Sequence, residues 1–148
     1  ADRIVNAVAA QHKYGGPCVV VDLGTAITFD AVSAKGEYMG GVISPGIMIS
    51  CEALFQKASK LPRVEIFAKP LSILAKNTIT SMNAGIVYGY AGLVEHLVRK
   101  MKDEIGGEVR VIATGGLCRI IAPLVSIFDY VDPELTLDGL ADIAEYLD

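Results

Sequence analysis

The 148 residues carry a net charge of −4, with 52% hydrophobic and 20% charged side chains. That is enough apolar chain for one domain with a substantial core, and it excludes a disordered polymer. The acidic balance gives no basic footprint for nucleic acid. Cys18, Cys51 and Cys118 are far apart and form no C-x-x-C pair, so the expectation is reduced thiols in a cytoplasmic protein, without disulfides or a zinc site. No signal-like apolar region opens the sequence. Ile79 to Val94, the most membrane-like stretch, is broken by Thr80, Ser81 and Asn83, so no membrane span is expected.

In chain order, Ile4, Val5, Val8 and Ala9 space a short amphipathic helix over Ile4 to Ala10, closed by Gly15-Gly16-Pro17. Cys18 to Ile43 reads as an antiparallel meander of three strands. Its first strand is the β-branched run Val19 to Val21. Gly24-Thr25 makes the first turn, with φ > 0 available to Gly24. Ala34-Lys35-Gly36 makes the second, and Tyr38 to Ile43 the third strand. Pro45-Gly46 stops it, and a helix follows over Ile47 to Lys60, with Ile47, Ile49, Ala53, Leu54 and Ala58 as core candidates. Leu61-Pro62 breaks that helix.

The longest helix is expected over Thr78 to Asp103, with Ile79, Met82, Ile86, Leu93 and Leu97 at helical spacing. Gly85, Gly89 and Gly92 add a smooth stripe. Glycine costs about 1 kcal/mol inside a helix, so three of them suggest a close helix–helix seam, internal or between subunits. Gly106-Gly107 closes the helix. A buried strand over Val109 to Ala113 then runs into Thr114-Gly115-Gly116. Next come a helix near Leu117 to Val125, a strand over Ile127 to Val131 and a last helix over Thr136 to Tyr146. Asp129, Asp132, Asp138 and Asp142 read as solvated charges. Strands first, then alternating helices and strands, describe an α/β layer fold.

Asp22-Leu23-Gly24-Thr25-Ala26 places a carboxylate and a hydroxyl beside a turn whose amides could receive phosphate oxygens. That segment resembles the second phosphate-binding motif of the actin/hexokinase ATPase superfamily. Gly40-Gly41-Val42-Ile43-Ser44-Pro45-Gly46, Lys76-Asn77-Thr78, Ala113-Thr114-Gly115-Gly116 and Leu135-Thr136-Leu137-Asp138-Gly139-Leu140 follow in the order seen in type III pantothenate kinase. Ala1-Asp2-Arg3 looks like the end of that family's Gly-x-Asp-Arg motif, and the resemblance runs from the first residue to the last.

The resemblance implies a three-layer ribonuclease H-like domain of order βββαβαβα, an antiparallel three-stranded meander extended by parallel strands. It implies that residues 1–148 are the C-terminal half of a two-domain kinase whose N-terminal half supplies the first phosphate motif, so that this chain alone is inactive or weakly active. The reaction implied is transfer of the ATP γ-phosphate to pantothenate, the first step of coenzyme A synthesis. ATP would come with Mg2+, a monovalent cation (K+ or NH4+) would assist, and the enzyme would be a homodimer. By the same resemblance Asp2 is the general base, and Ala1, Asp2, Arg3 and Thr78 bind pantothenate. Gly24, Thr25, Thr114, Gly115 and Gly116 would bind ATP, and Asp22 the cation. On its residues alone Asp22 is equally a turn-flanking acid satisfying local amides, and Thr78 a helix N-cap. The competing expectation is a non-catalytic nucleotide-binding regulator of the Bvg accessory factor type.

Overall fold

The computed structural model describes residues 2–58 and 70–135, and of Asp2 only the backbone. The expected helix over Thr136 to Tyr146 and the Leu61-Pro62 break lie outside the described residues.

The chain opens with helix α1 (Asp2–Tyr14) and continues into the meander β1 (Cys18–Leu23), β2 (Ala26–Val32) and β3 (Tyr38–Pro45). Helices α2 (Ile47–Lys57) and α3 (Thr78–Ile105) follow, then β4 (Arg110–Thr114), the one-turn helix α4 (Cys118–Ile121) and β5 (Tyr130–Val131). The five strands form one sheet in the order β3-β2-β1-β4-β5, antiparallel on the β2 and β3 side and parallel on the β4 and β5 side. Among the described residues, no helix is long and apolar enough to cross a membrane.

Strand alternation divides the core. Val19, Val21 and Leu23 face one way, into the larger cluster with Phe29, Val87, Val94, Val98 and Ile121. Cys18 and Val20 face the other way, with Ala9 and Ala10 of α1, Val32, Ile112 and Leu135. α1 therefore covers one face of the sheet, and α2, α3 and α4 the other. Three layers result, as expected. All three cysteines are buried and free, and burial pushes the Cys18 thiol up to about 11.

Several elements differ from their expected bounds. α1 reaches Tyr14, because its last turn is anchored by side chains beyond the apolar run: Tyr14 stacks on Tyr130 with ring centroids 4.3 Å apart. In α2, Ile47 and Cys51 are buried and Leu54 half-buried, while Ile49 and Ala53 face solvent. In α3 Ile86 is buried as expected, together with Val87, Tyr90, Val94 and Val98, and Met82, Leu93 and Leu97 are half-buried against the core, while Ile79 is 56% exposed. The expected helix to Val125 shrinks to α4 and a 3-10 turn over Ala122–Leu124, since Pro123 has no N–H to continue an α-helical ladder. β5 keeps only Tyr130–Val131, because the Asp129 carboxylate accepts from the Val111 amide (2.8 Å) ahead of the strand. The glycine stripe also has a different surrounding from a seam within the fold. Gly85, Gly89 and Gly92 are exposed, and a Cβ on any of them would meet nothing within 4 Å among the described residues.

Asp132, expected as a solvated charge, is 8% exposed. It accepts from Lys13 Nζ at 2.7 Å and from the Tyr14 hydroxyl at 2.8 Å, tying the end of α1 to the segment after β5. Burial alone would raise this carboxyl, but the hydrogen bonds from Lys13 and Tyr14 outweigh it and hold the group below its ordinary value of 3.8. A depressed aspartate stabilises the fold fully above its unfolded value, and the contribution disappears as pH falls through the lower folded one. Asp132→Asn is therefore expected to lower the melting temperature at neutral pH and to flatten its acid-side decline below about pH 4; thermal melts from pH 2 to 7 measure both.

Candidate functional site

The site is built at the C-terminal end of β1. Asp22 is the last residue of β1 on the face that α1 covers, and its register partners are Thr28 on β2 and Thr114 on β4. Partners in register point to the same face, which gives a row of hydroxyl, carboxylate and hydroxyl beneath α1. Asn6 of α1, 1% exposed, donates to Asp22 Oδ2 at 3.0 Å. Thr114 is 1% exposed and its Oγ1, wholly buried, has no hydrogen-bond partner among the described residues. A buried hydroxyl left in that state costs about 1–3 kcal/mol. It lies beside a half-buried carboxylate, which makes this corner the natural place for something polar to bind.

Backbone turns crowd round the same corner. Gly115 has φ of +96°, and a Cβ there would stand 2.5 Å from Asp22 Oδ1 and 2.6 Å from the Leu23 amide nitrogen. Glycine is required both by conformation and by space. The Leu117 amide donates to the Leu23 carbonyl at 3.1 Å, folding the segment after β4 over the end of β1. Gly116 is exposed. Gly46 caps α2 and packs under the Gly24-Thr25 turn, where a Cβ would overlap the Thr25 carbonyl. The chain reverses at Gly24 as expected, without using the left-handed region open to glycine. A Cβ on it would make only ordinary contacts, 3.4 Å to Asp22 Oδ1 and 3.7 Å to the Ala26 carbonyl. Thr25, at the tip, is exposed.

α1 enters the corner from its N-terminal end. Its first residue is Asp2, whose backbone begins the helix, and Ala1 lies outside the described residues. Arg3 is tied down. Its Nε and Nη2 donate to Asp30 Oδ1 at 2.8 and 2.6 Å, and Nη2 also donates to the Tyr38 hydroxyl at 2.6 Å. The Tyr38 hydroxyl in turn donates to Asp30 Oδ1 at 2.6 Å. Hydrogen bonding to the 1%-exposed Asp30 raises both the Arg3 guanidinium and the Tyr38 phenol above their ordinary values. The clamp fixes α1, and with it Asp2 and Asn6, against β2 and β3. Asp30, Tyr38 and Asn6 gave no sequence signal of this role. Asp30 and Asn6 could have been found only by placing them on the α1-facing side of their elements.

Thr78 stands apart from this corner, on the other face of the sheet. The N-cap of α3 is Asn77, whose side chain accepts from the Thr80 amide at 2.9 Å. Thr78 is thus the first helical residue, not the cap, because the Asn77 carboxamide already satisfies the amide a threonine cap would take. The exposed Thr78 lines an open cavity of about 750 Å3 with Leu54, Lys76, Asn77, Ser81 and Met82. The structure thus brings Asp22, Gly24, Thr25, Thr114 and Gly115 together near the start of α1 and sets Thr78 in a second concavity at the start of α3.

This fold is the actin/hexokinase-like ATPase fold. The chain superposes with a TM-score of 0.67 on a Baf family protein from Campylobacter jejuni, 22% identical, over 97% of this chain and 64% of that one. It superposes with a TM-score of 0.56 on component A of the (R)-2-hydroxyglutaryl-CoA dehydratase of Acidaminococcus fermentans, 15% identical, over 98% of this chain and 66% of that one. The family model of type III pantothenate kinase matches residues 1–100. The sequence is 68% identical over 145 residues to a type III pantothenate kinase of Syntrophobacter fumaroxidans, and 57% identical over 145 residues to one of Desulforapulum autotrophicum. These alignments cover 98% of this chain and 56% and 55% of those proteins. The chain belongs to the type III pantothenate kinase family, and it spans a little over half the length of the curated relatives it matches.

The two turn glycines are expected to separate folding from binding. Gly46→Ala must displace the Thr25 backbone, and overpacking of this kind costs about 1–3 kcal/mol. Gly24→Ala is expected to leave the denaturant midpoint close to wild type, since the structure has room for the methyl. Urea unfolding of the two variants side by side measures the contrast.

Proposed function

We propose that this chain forms the C-terminal half of a kinase that transfers the ATP γ-phosphate to pantothenate, giving 4'-phosphopantothenate, and that the N-terminal half of the same protein completes the site. The observation that carries the reading is the corner at the end of β1. There a glycine-threonine turn with its threonine exposed, a half-buried aspartate and a buried hydroxyl that has no partner among the described residues converge under the helix that begins with Asp2. Phosphoryl transfer depends mainly on positioning and on neutralising charge, and these are the parts such a corner supplies.

In this reading Asp2 accepts the proton of the pantothenate hydroxyl as it attacks the γ-phosphorus, and the Arg3–Asp30–Tyr38 clamp keeps the base-bearing turn of α1 in place. Arg3 offers pantothenate only the Nη1 end of its fork, because Nε and Nη2 serve Asp30 and Tyr38. Ala1 and Thr78 belong to the acceptor side. Gly24 and Thr25 hold nucleotide phosphate, while Thr114, Gly115 and Gly116 border the nucleoside. A carboxylate and a neighbouring hydroxyl are hard oxygen donors that suit a monovalent cation such as K+ or NH4+, and Asp22 with Thr114 Oγ1 would hold it. Bound there, the cation would offset phosphate charge. Among the described residues no group of three or more His, Cys, Asp or Glu forms a metal cage, so Mg2+ is expected to arrive with the nucleotide phosphates, as it commonly does.

The homodimer belongs to the same proposal. The open Gly85-Gly89-Gly92 face of α3 would be covered by a second copy. Gly89→Leu is then expected to lower the mass in solution from dimer to monomer in light scattering. If that variant keeps the dimer mass and melts higher, as glycine replacement on a solvated helix should, another face makes the dimer.

The deciding experiment is turnover of ATP and pantothenate by the intact protein, with and without K+, beside this chain alone. The intact protein is expected to form 4'-phosphopantothenate, with the isolated piece far slower. Asp2→Asn is expected to lower kcat about 10²–10⁴-fold, the usual worth of a general base, while ATP still binds. No product from the intact protein would favour the non-catalytic nucleotide-binding regulator, and full activity from this piece would remove the need for a second half.

A further inference from the structure

One buried hydroxyl outside the candidate site lies behind the corner that packs against the Gly24-Thr25 turn. Tyr90 lies on the inner face of α3 and is 8% exposed. Its oxygen is 2.9 Å from the Pro45 carbonyl and 3.1 Å from the Gly46 carbonyl, and it contacts the Ser50 hydroxyl. Carbonyls only accept, so Tyr90 gives its single proton to that pair and Ser50 donates to Tyr90. Ser50 is fixed in turn, its amide donating to the Gly46 carbonyl at 3.1 Å. The corner between β3 and α2 is therefore gathered onto one phenol.

That corner bears directly on the turn. Gly46 has so little space above it that a Cβ would come within 2.7 Å of the Thr25 carbonyl carbon and 2.9 Å of the Gly24 carbonyl oxygen. Two backbones packed too closely to admit a methyl group between them transmit a shift from one to the other, because neither side has a rotamer to absorb it. We propose that Tyr90 is a positioning residue for nucleotide binding: by holding the Pro45–Gly46 corner, it sets the height of the Gly24-Thr25 turn. The proposal rests on assigning that turn to ATP phosphate. It also means that α3, whose first residue is Thr78, ties the acceptor cavity and the nucleotide turn to one rigid rod.

Tyr90→Phe keeps the ring and its packing and removes only the donor. In the intact protein, with ATP affinity measured by direct titration and both KM values by turnover, the ATP Kd and the KM for ATP are expected to rise about tenfold, the worth of one buried hydrogen bond. The KM for pantothenate should stay within about twofold, a split that general loosening of the fold would not produce. An ATP Kd within about twofold of wild type, whatever happens to the melting temperature, overturns the proposal, as does an equal rise in both KM values. Should Tyr90→Phe fail to fold, Ser50→Ala decides: it removes the donor to the Tyr90 oxygen, and a raised ATP Kd supports the proposal while an unchanged one overturns it. Wild-type protein that binds ATP without forming product defeats the kinase reading alone, and the titration still judges Tyr90. Wild-type protein that binds no ATP defeats both.

Discussion

The fold turns on how closely three stretches of backbone approach one another at the end of β1. The Gly24-Thr25 turn, the Gly46 corner and Gly115 meet there with no room for a methyl group at the last two. Everything else holds that meeting in place. Val19, Val21 and Leu23 of β1 bury one side of the strand under α3, and Cys18 and Val20 bury the other under α1. Backbone packed against backbone cannot relax by changing rotamer, so the corner is rigid before any ligand arrives. Rigid placement of amides and a carboxylate is what phosphate chemistry demands.

Much of the architecture was legible in the sequence, and for physical reasons. The meander showed because Val19 to Val21, the glycine turn and the Ala34-Lys35-Gly36 turn are local signals. The parallel side showed in part: Val111, Ile112 and Ala113 are apolar without alternation and all buried, as in a strand covered on both faces, with Arg110 exposed at its start. Periodicity failed where an element's buried face mixes residue types. α2 buries a cysteine at position 51 and leaves Ile49 in solvent, and α3 turns Tyr90 inward while Ile79 points out. Counting large aliphatic residues finds Ile47, Leu54, Ile86, Leu93 and Leu97 but admits Ile49 and Ile79 and misses Cys51 and Tyr90. β5 was overestimated because Ile127 and Phe128 pack against the core without joining the sheet.

The candidate site was less legible than the fold. The motif residues were visible one by one, but their supports were not. Asn6 looks like one more small polar residue on a helix, and Asp30 like an acid closing a strand. Only the register of β1, β2 and β4 shows that Asp22 is flanked by two threonines, and only tertiary packing shows that Arg3 faces a buried carboxylate. The same packing separates Thr78 from the other candidates, which the linear order of motifs could not do. Asp30 is supported by Arg3 and Tyr38, and Asp22 accepts from Asn6 on the same helix as Arg3.

The outer strand of the meander has a consequence for handling the molecule. β3 is an end strand of the sheet and carries Tyr38, Met39 and Ile43, each more than half exposed. A flat strand of that composition would recruit others and grow into fibres. Here Gly40 sits at φ of +127°, the pairing slips between Ala31 and Val32, and Pro45 closes the strand without an N–H. Those three irregularities interrupt the flat template on which stacking would begin, so among the described residues the guard against strand addition lies in the backbone of this hairpin rather than in its side chains.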